Sequence, residues 1–96
     1  MGLLTRIFGN GVRIKVLEFF LENPDVLIYL TNIAQILDVS HTSVSRVISP
    51  LIGLGIIEET RLGGRIRVFK LNKKNSKAQI LLNFYNSLKK ESDMRG

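Results

Sequence analysis

The segment TNIAQILDVSHTSVSRVISPLIGLGII, residues 31–57, has the pattern of two short helices joined by a tight turn. Thr31 is predicted to cap the first helix, because its hydroxyl can accept a hydrogen bond from an otherwise unpaired N–H group of the next turn. Ser40 is predicted to cap the second helix in the same way. Gly55 then ends it, since glycine readily adopts the left-handed conformation of a helix C-cap. One apolar face is predicted on each helix: Ile33, Ala34, Ile36 and Leu37 on the first, and Val44, Val47, Ile48, Leu51 and Leu54 on the second.

The other face of the second predicted helix carries short polar side chains and one arginine. Short side chains let a helix approach another surface closely, and the guanidinium of Arg46 can form two hydrogen bonds with a guanine edge or with a phosphate. This composition is typical of a recognition helix in the major groove of double-stranded DNA. The predicted contacts are His41, Thr42, Ser43, Ser45, Arg46 and Ser49, with Ser40 contacting a phosphate.

Pro50 lies about ten residues into the second predicted helix. A proline there removes the hydrogen bond to the carbonyl of Arg46 and clashes with it, at a cost of roughly 3 kcal/mol in a helix interior. We therefore expect a bend or a break at Ser49 and Pro50. It would tilt the first two turns of the helix relative to residues 51–54.

Residues 57–62 and 65–71 are predicted to form a β-hairpin around Gly63 and Gly64, because both glycines can adopt positive φ in a two-residue turn. Basic side chains surround the turn and follow the second strand: Arg61, Arg65, Arg67, Lys70, Lys73 and Lys74. Arginines at the tip of a hairpin cannot be core residues. We expect the arginines to contact the DNA backbone or minor groove and the lysines to contact phosphates. The alternative is a solvated hairpin without a ligand.

The order Leu-x-x-Ile-Ala-x-x-Leu-x-Val-Ser-x-x-x-Val-Ser-Arg, residues 30–46, is followed by Leu-Gly-Ile-Ile and a basic hairpin. This order resembles the winged helix-turn-helix of small transcriptional regulators, over residues 12–71. The resemblance is greatest to the arsenic-repressor-like and multiple-antibiotic-resistance-repressor-like families and their archaeal relatives. It implies a mainly α fold with a small β-hairpin, in which a three-helix core carries a β-wing, and it implies a role in transcriptional regulation.

Three further elements are predicted before residue 31. Apolar residues at helical spacing predict a short helix within residues 1–8 and a scaffold helix with a wide apolar face at residues 12–22. A β-branched and aromatic run predicts a short strand at residues 26–30. The length suits a single domain, residues 1–96, with its core in residues 12–71.

A last helix is predicted at residues 76–90, with Ser76 and Gln79 forming a capping box at its start. Its apolar residues follow a seam typical of paired helices: Ala78, Leu81, Leu82, Tyr85 and Leu88. This is more apolar surface than one short helix needs for packing on its own domain. We therefore predict a dimerisation helix that pairs with its copy in a homodimer. The alternative is a helix that folds onto its own core.

The formal net charge of +6 is unevenly distributed along the chain. Residues 61–90 contain nine basic residues and no acidic one, whereas residues 16–60 contain six acidic residues and one basic residue, Arg46. A concentrated positive field favours a polyanionic partner. The predicted hairpin and the last helix therefore have the charge needed to approach nucleic acid.

Several kinds of chemistry lack their residues in this sequence. There is no cysteine, the single histidine is His41, and no glycine-rich phosphate loop is present, so we expect neither a metal nor a cofactor. A Ser–His–Asp triad would need His41, which lies among helix-capping serines, and the acidic residues lie mostly on predicted helix exteriors. We therefore expect no enzyme activity. No apolar stretch is long enough to span a membrane and residues 1–6 lack a signal-peptide profile, which favours a cytoplasmic, nucleoid-associated protein.

These patterns lead to one principal hypothesis and two alternatives. The principal hypothesis is a homodimeric, sequence-specific protein that binds double-stranded DNA. The first alternative is a winged-helix protein–protein interaction module in a larger assembly. Binding to RNA or single-stranded DNA is less favoured, because aromatic residues for base stacking are scarce in the basic half of the chain.

Overall fold

The computed structural model describes residues 2–95 of the chain, and side-chain surroundings for residues 2–92. In chain order its elements are α1 (Leu3–Phe8), α2 (Val12–Glu22), β1 (Ile28–Tyr29), α3 (Leu30–Leu37), α4 (His41–Gly53), β2 (Ile57–Leu62), β3 (Ile66–Leu71) and α5 (Ser76–Arg95). The predicted domain also includes Met1 and Gly96, which lie outside the described residues. Both predicted N-terminal helices are present, as α1 and α2.

The three strands form an antiparallel sheet in the order β1, β3, β2. In the β2–β3 hairpin Leu62 lies opposite Ile66. Gly63 and Gly64 between them have φ angles of 60° and 77°, as a two-residue hairpin turn with two left-handed residues requires. The predicted hairpin is confirmed, whereas the strand predicted at residues 26–30 is limited to the two residues of β1.

The core lies between α2, α3, α4 and the inner face of the sheet. Its largest fully buried side chains are Val16, Phe20, Leu21, Ile33, Val44, Ile48, Ile57, Phe69 and Leu71. α3 and α4 form a helix-turn-helix, and the β2–β3 hairpin is the wing beside it. The chain has the predicted winged helix-turn-helix fold, mainly α with a small antiparallel sheet.

The turn between α3 and α4 is held by two helix caps. At the end of α3, Asp38 adopts a left-handed conformation with a φ of 55°, and the N–H groups of Asp38 and Val39 donate to carbonyls within α3. At the start of α4, the hydroxyl oxygen of Ser40 accepts a hydrogen bond of 3.1 Å from the N–H of Ser43. The predicted Ser40 cap is confirmed, and the two caps together fix where α4 begins relative to α3.

Three details of these helices differ from the prediction. α3 begins at Leu30 with Tyr29 at the N-cap position and no side-chain cap, because β1 leads directly into the helix and Thr31 already lies within the first turn. Ile36 is 60% exposed, since it lies beyond the edge of the buried face of α3. Leu54 is 50% exposed, because α4 ends at the preceding residue and its helical spacing no longer applies.

α4 is continuous through Pro50, so the predicted break is absent, while a bend at this position stays a prediction. The carbonyl of Pro50 accepts a hydrogen bond of 3.0 Å from the N–H of Leu54, and the last turn is therefore complete. Gly55, with a φ of 77°, and Ile56 donate their N–H groups to carbonyls of the last helical turn. These two bonds form the expected glycine C-cap.

Glu18 of α2 is a buried carboxylate, only 6% exposed, that joins three helices. Its oxygens accept hydrogen bonds of 3.1 Å from the backbone N–H groups of Leu4 and Thr5 at the start of α1. They also accept a bond of 2.8 Å from the hydroxyl of Tyr85 on α5. The prediction that the acidic residues lie on helix exteriors is wrong for Glu18, which is the cap of α1 and the anchor of α5.

The start of α5 is capped by Asn75 and not by the predicted capping box. The side-chain oxygen of Asn75 accepts a hydrogen bond of 3.0 Å from the N–H of Ala78. The side-chain amide of Gln79 instead donates to the carbonyl of Lys73 at 2.9 Å. α5 also extends beyond the predicted end at residue 90, to Arg95.

The apolar seam predicted for dimerisation packs on its own domain. Ala78 and Tyr85 are buried in the core, and Leu81, Leu82 and Leu88 are half-buried against it. A second copy cannot reach Ala78 or Tyr85 without unpacking α5, so these two residues are not part of a dimer seam, and the alternative of a helix folded onto its own core applies to them. Contacts of Leu81, Leu82 and Leu88 with a second copy stay a prediction. Within residues 76–92 of α5 the most exposed apolar side chains are Ile80, at 67%, and Phe84, at 44%.

Burial raises the pKa of the Tyr85 phenol well above its ordinary value of 10.0, and the neighbouring carboxylates of Glu22 and Glu18 raise it further. Above pH 10 the unfolded chain therefore binds fewer protons than the folded chain, and the stabilisation from this group is lost as the pH rises. We expect wild type to be more stable than Tyr85→Phe at pH 8 and the difference to shrink by at most about 1.4 kcal/mol per pH unit above pH 10. Urea unfolding of both proteins followed by circular dichroism measures this difference. A difference that stays constant to pH 11 would contradict the prediction.

Candidate nucleic-acid interface

The polar face of α4 is open to solvent, because its other face is packed in the core. Five of the predicted contact residues are exposed on it: His41, Thr42, Ser45, Arg46 and Ser49. These five residues, with Leu30 and Pro50 at the edge, line a shallow groove of about 630 Å³. The structure therefore brings them together on one concave surface, and their contacts with DNA stay predictions.

Ser40 and Ser43, which were also predicted to contact DNA, are bonded to each other. The Ser40 hydroxyl donates to the Ser43 hydroxyl oxygen at 2.8 Å and accepts from the Ser43 N–H at the start of α4. The Ser43 side chain is half-buried. These two side chains serve the helix cap, and their predicted contacts with DNA remain untested.

Arg65 is exposed at the tip of the wing. It follows Gly64 directly and forms no ion pair with any of the described side chains. Arg46 of α4 likewise has no acidic partner within residues 2–92. Each of the two elements of the candidate interface therefore presents one arginine that is available to an anionic ligand.

The other two wing arginines are in contact with an acidic residue that the sequence analysis did not single out. Nη2 of Arg67 donates to Oε1 of Glu59 at 2.9 Å, and Nε of Arg61 lies 3.6 Å from Oε2 of Glu59. The guanidinium of Arg67 also lies over the ring of Phe69, 5.2 Å from its centroid. Arg61 and Arg67 are therefore not the free cations that the prediction assumed.

The strand register explains this contact. Arg61 lies opposite Arg67, and Glu59 lies opposite Phe69. All four side chains are on the inner face of the hairpin, which packs on the core at the base of the wing. The hydrogen bond from Arg67 lowers the pKa of the Glu59 carboxyl, and the same bond raises the pKa of Arg67. Both groups are thus charged at neutral pH. The signal was present in the sequence, because a two-glycine turn fixes which residues of the two strands face each other.

The wing and α4 meet at a small cavity of about 250 Å³. Ser45 and Ser49 of α4 lie on one side of it, and Glu59 and Arg67 of the wing lie on the other. The floor is apolar and includes Phe69. The exposed face of α4 and the inner face of the wing therefore form one continuous surface.

The three predicted phosphate-binding lysines are not equivalent. Lys73 is bonded to Asp25, and the hydrogen bond from Lys73 lowers the pKa of the Asp25 carboxyl. Lys70 is half-buried and lies opposite Glu58 in the hairpin. Lys74 is exposed and forms no ion pair with a described residue. Lys74 is thus the lysine of this set that is most available to a phosphate.

A metal site and a membrane-spanning helix are both absent from the part of the chain that the structure describes. No group of three or more His, Asp or Glu side chains lies close enough together to hold a metal ion. None of the helices there is long and apolar enough to cross a membrane.

The chain is similar to known proteins in its structure but matches none of them by sequence comparison. No family model matches the sequence, and no curated protein matches it. The fold is similar to that of a protein from Methanosarcina mazei Go1 described as a possible transcriptional regulator, with a TM-score of 0.60 and 22% identity, covering 86% of this chain and 72% of that one. ZitR from Lactococcus lactis, solved in complex with DNA, has a TM-score of 0.61 and 13% identity, covering 84% of this chain and 57% of its own.

A third similar structure is RV1404 from Mycobacterium tuberculosis, with a TM-score of 0.61 and 16% identity. The match covers 96% of this chain and 64% of RV1404. This chain therefore spans less than two thirds of the length of ZitR and of RV1404. At these identities the similarity shows the fold, which agrees with the winged helix-turn-helix described above.

Proposed function

We propose that this protein is a sequence-specific regulator of transcription that binds double-stranded DNA through its winged helix-turn-helix. The proposal rests on one observation, that the exposed polar face of α4 and the basic wing form a continuous concave surface. It is supported by the descriptions of the similar structures, of which one is a possible transcriptional regulator and another was solved with DNA. The proposal includes the arsenic-repressor-like or multiple-antibiotic-resistance-repressor-like subtype, a cytoplasmic location on the nucleoid, and no enzyme activity.

In the proposed complex α4 lies in the major groove. The side chains that would contact base edges are His41, Thr42, Ser45, Arg46 and Ser49. Arg46 is the one suited to a guanine, because its planar guanidinium can bond both acceptors on the guanine edge. Arg65 at the wing tip and Lys74 at its base would contact phosphates or the minor groove on either side.

The proposed active species is a homodimer. The surface proposed for it excludes the buried residues of the predicted seam, Ala78 and Tyr85, and includes the exposed apolar side chains of α5 and α1: Ile80, Phe84, Ile7 and Phe8. A two-fold axis through this surface would present two copies of α4. Such dimers read half-sites about 34 Å apart, so a pseudo-palindromic site is expected.

Fluorescence anisotropy with a labelled duplex of about three helical turns, roughly 30 base pairs, tests the proposal. We expect tighter binding to the duplex than to the matching single strand, and two chains bound per duplex at saturation. The logarithm of the binding constant should fall linearly with the logarithm of the salt concentration, by about 0.9 for each neutralised phosphate. Absence of duplex binding at about 50 mM salt would contradict the proposed function.

A second candidate function is supported by the outer face of the sheet. Leu62 and Ile66 lie opposite each other there and are both exposed, and Tyr29 is exposed beside Val68 on the same face. Exposed apolar side chains grouped on one face are typical of protein–protein contacts. On this alternative the chain is an interaction module of a larger assembly, and binding to DNA would be absent.

A further inference from the structure

Glu59 is an acidic residue at the centre of a surface proposed to bind a polyanion. It is on the inner face of the wing, and it borders the same cavity as Ser45 and Ser49 of α4. It contacts both Arg61 and Arg67, so one carboxylate reduces the net charge of this face from two positive charges to one.

The contribution of this cluster to folding is small. All three side chains are solvated, with 22% of the Glu59 side chain, 44% of Arg67 and 58% of Arg61 exposed, and ion pairs between exposed side chains contribute little to stability. Arg67 is also held by the ring of Phe69. Glu59 therefore contributes little to the stability of the wing, which leaves binding as the property that this carboxylate can affect most.

We propose that Glu59 is a specificity-determining residue that keeps Arg61 and Arg67 from binding the phosphates of arbitrary DNA. The inference rests on the proposed function. On a duplex without matching bases, α4 is not held in the groove, and Glu59 remains the partner of Arg67. Where α4 makes its base contacts, the wing is held against the backbone, and a phosphate replaces Glu59 as the partner of Arg67.

The physical reason is that non-specific binding depends almost entirely on phosphate contacts, whereas specific binding adds contacts to bases. Glu59 occupies two of the cations that phosphates would use, and its own charge is repelled by the DNA backbone. It therefore lowers non-specific affinity more than specific affinity. A protein that must find its site among many competing sites gains from such a difference.

The experiment compares Glu59→Gln with Glu58→Gln on a mixed-sequence duplex, by anisotropy from about 50 to 200 mM salt. The two variants change the net charge equally on adjacent residues of β2, but Glu58 is exposed on the opposite face of the sheet, opposite Lys70. For Glu59→Gln we expect binding about 5- to 10-fold tighter and a salt slope steeper by about 1 to 2, the value for one or two further phosphates. For Glu58→Gln we expect a smaller gain with the slope unchanged.

A third variant, Glu59→Gln with Arg67→Gln, shows whether the gain in affinity depends on Arg67. If it does, the salt slope of this variant should return most of the way to the wild-type value. Equal gains in affinity for Glu59→Gln and Glu58→Gln, or weaker binding by Glu59→Gln, would overturn the inference. The proposed function would be unaffected by that result, provided that the wild type binds the duplex. If neither wild type nor any variant bound the duplex at the lowest salt, the proposed function would fail and this inference with it.

Discussion

Replacing Arg46 and Arg65 together by glutamate is expected to weaken binding to a mixed-sequence duplex at least about 100-fold at 0.1 M salt. These residues are the two arginines of the candidate interface that have no acidic partner within residues 2–92, one on α4 and one at the wing tip. Loss of one phosphate contact, here that of Arg65, reduces the binding constant roughly 8-fold at this salt concentration. Loss of the Arg46 contact in the groove reduces it further, and each new carboxylate adds repulsion. Anisotropy titrations of the variant and the wild type measure the loss directly.

The matched control is Arg13→Glu with Lys90→Glu. It produces the same change in net charge at exposed residues of α2 and α5 that are not part of the candidate interface. All four substitutions are at exposed positions, where the free energy of unfolding usually changes by less than about 0.5 kcal/mol, and circular dichroism checks this. Equal losses in the two double variants would mean that DNA responds only to net charge. No loss in either would favour the protein-interaction module.

Replacing Glu18 by alanine is expected to lower the free energy of unfolding by about 3 to 5 kcal/mol. The substitution leaves three buried or partly buried donors without an acceptor, namely the N–H groups of Leu4 and Thr5 and the hydroxyl of Tyr85. Each unsatisfied buried donor costs about 1 to 3 kcal/mol, and the total is reduced if α1 detaches and its N–H groups reach water. Because small domains are stable by only about 5 to 15 kcal/mol, the variant should be close to unfolding. Urea denaturation of both proteins measures the difference.

Two further variants separate the role of the carboxylate from that of its volume. Glu18→Gln keeps the shape and one acceptor oxygen, so an intermediate loss of about 1 to 2 kcal/mol is expected. Glu22→Ala removes an exposed carboxylate one turn further along α2, which pairs with Lys89 and neighbours the Tyr85 phenol but accepts no bond from the N–H groups of α1, and should cost less than about 1 kcal/mol. A loss in Glu18→Ala no larger than in Glu22→Ala would show that the three hydrogen bonds contribute nothing to stability.

The parts of the fold that could be predicted are those that depend on neighbouring residues. Ser40 caps α4 and Gly55 ends it because caps involve residues a few positions apart. Gly63 and Gly64 specify the wing turn for the same reason. The spacing of apolar residues in α4 correctly predicted its buried face. The opposite, polar face of α4 is the candidate recognition surface.

The parts that could not be predicted depend on residues far apart in the sequence. Glu18 lies in the apolar run VLEFFL, residues 16–21, and a single acid within such a run was the only signal of its burial. Its partner Tyr85 is 67 positions away. The prediction likewise assigned Tyr85 and Ala78 to contacts with a second copy of the chain. The spacing of apolar residues shows that a helix face is covered but not which part of the protein covers it.

The position of the Glu18 hydrogen bonds also affects the order in which the domain can form during synthesis. Leu4 and Thr5 leave the ribosome before Glu18, but the hydroxyl of Tyr85 is added much later. Until then one side of the Glu18 carboxylate has no protein donor, and the apolar face of α2 that α5 covers is open to water. The helix-turn-helix and the wing are thus synthesised before α5, and the fold is complete only after α5 has been made and has packed on α2.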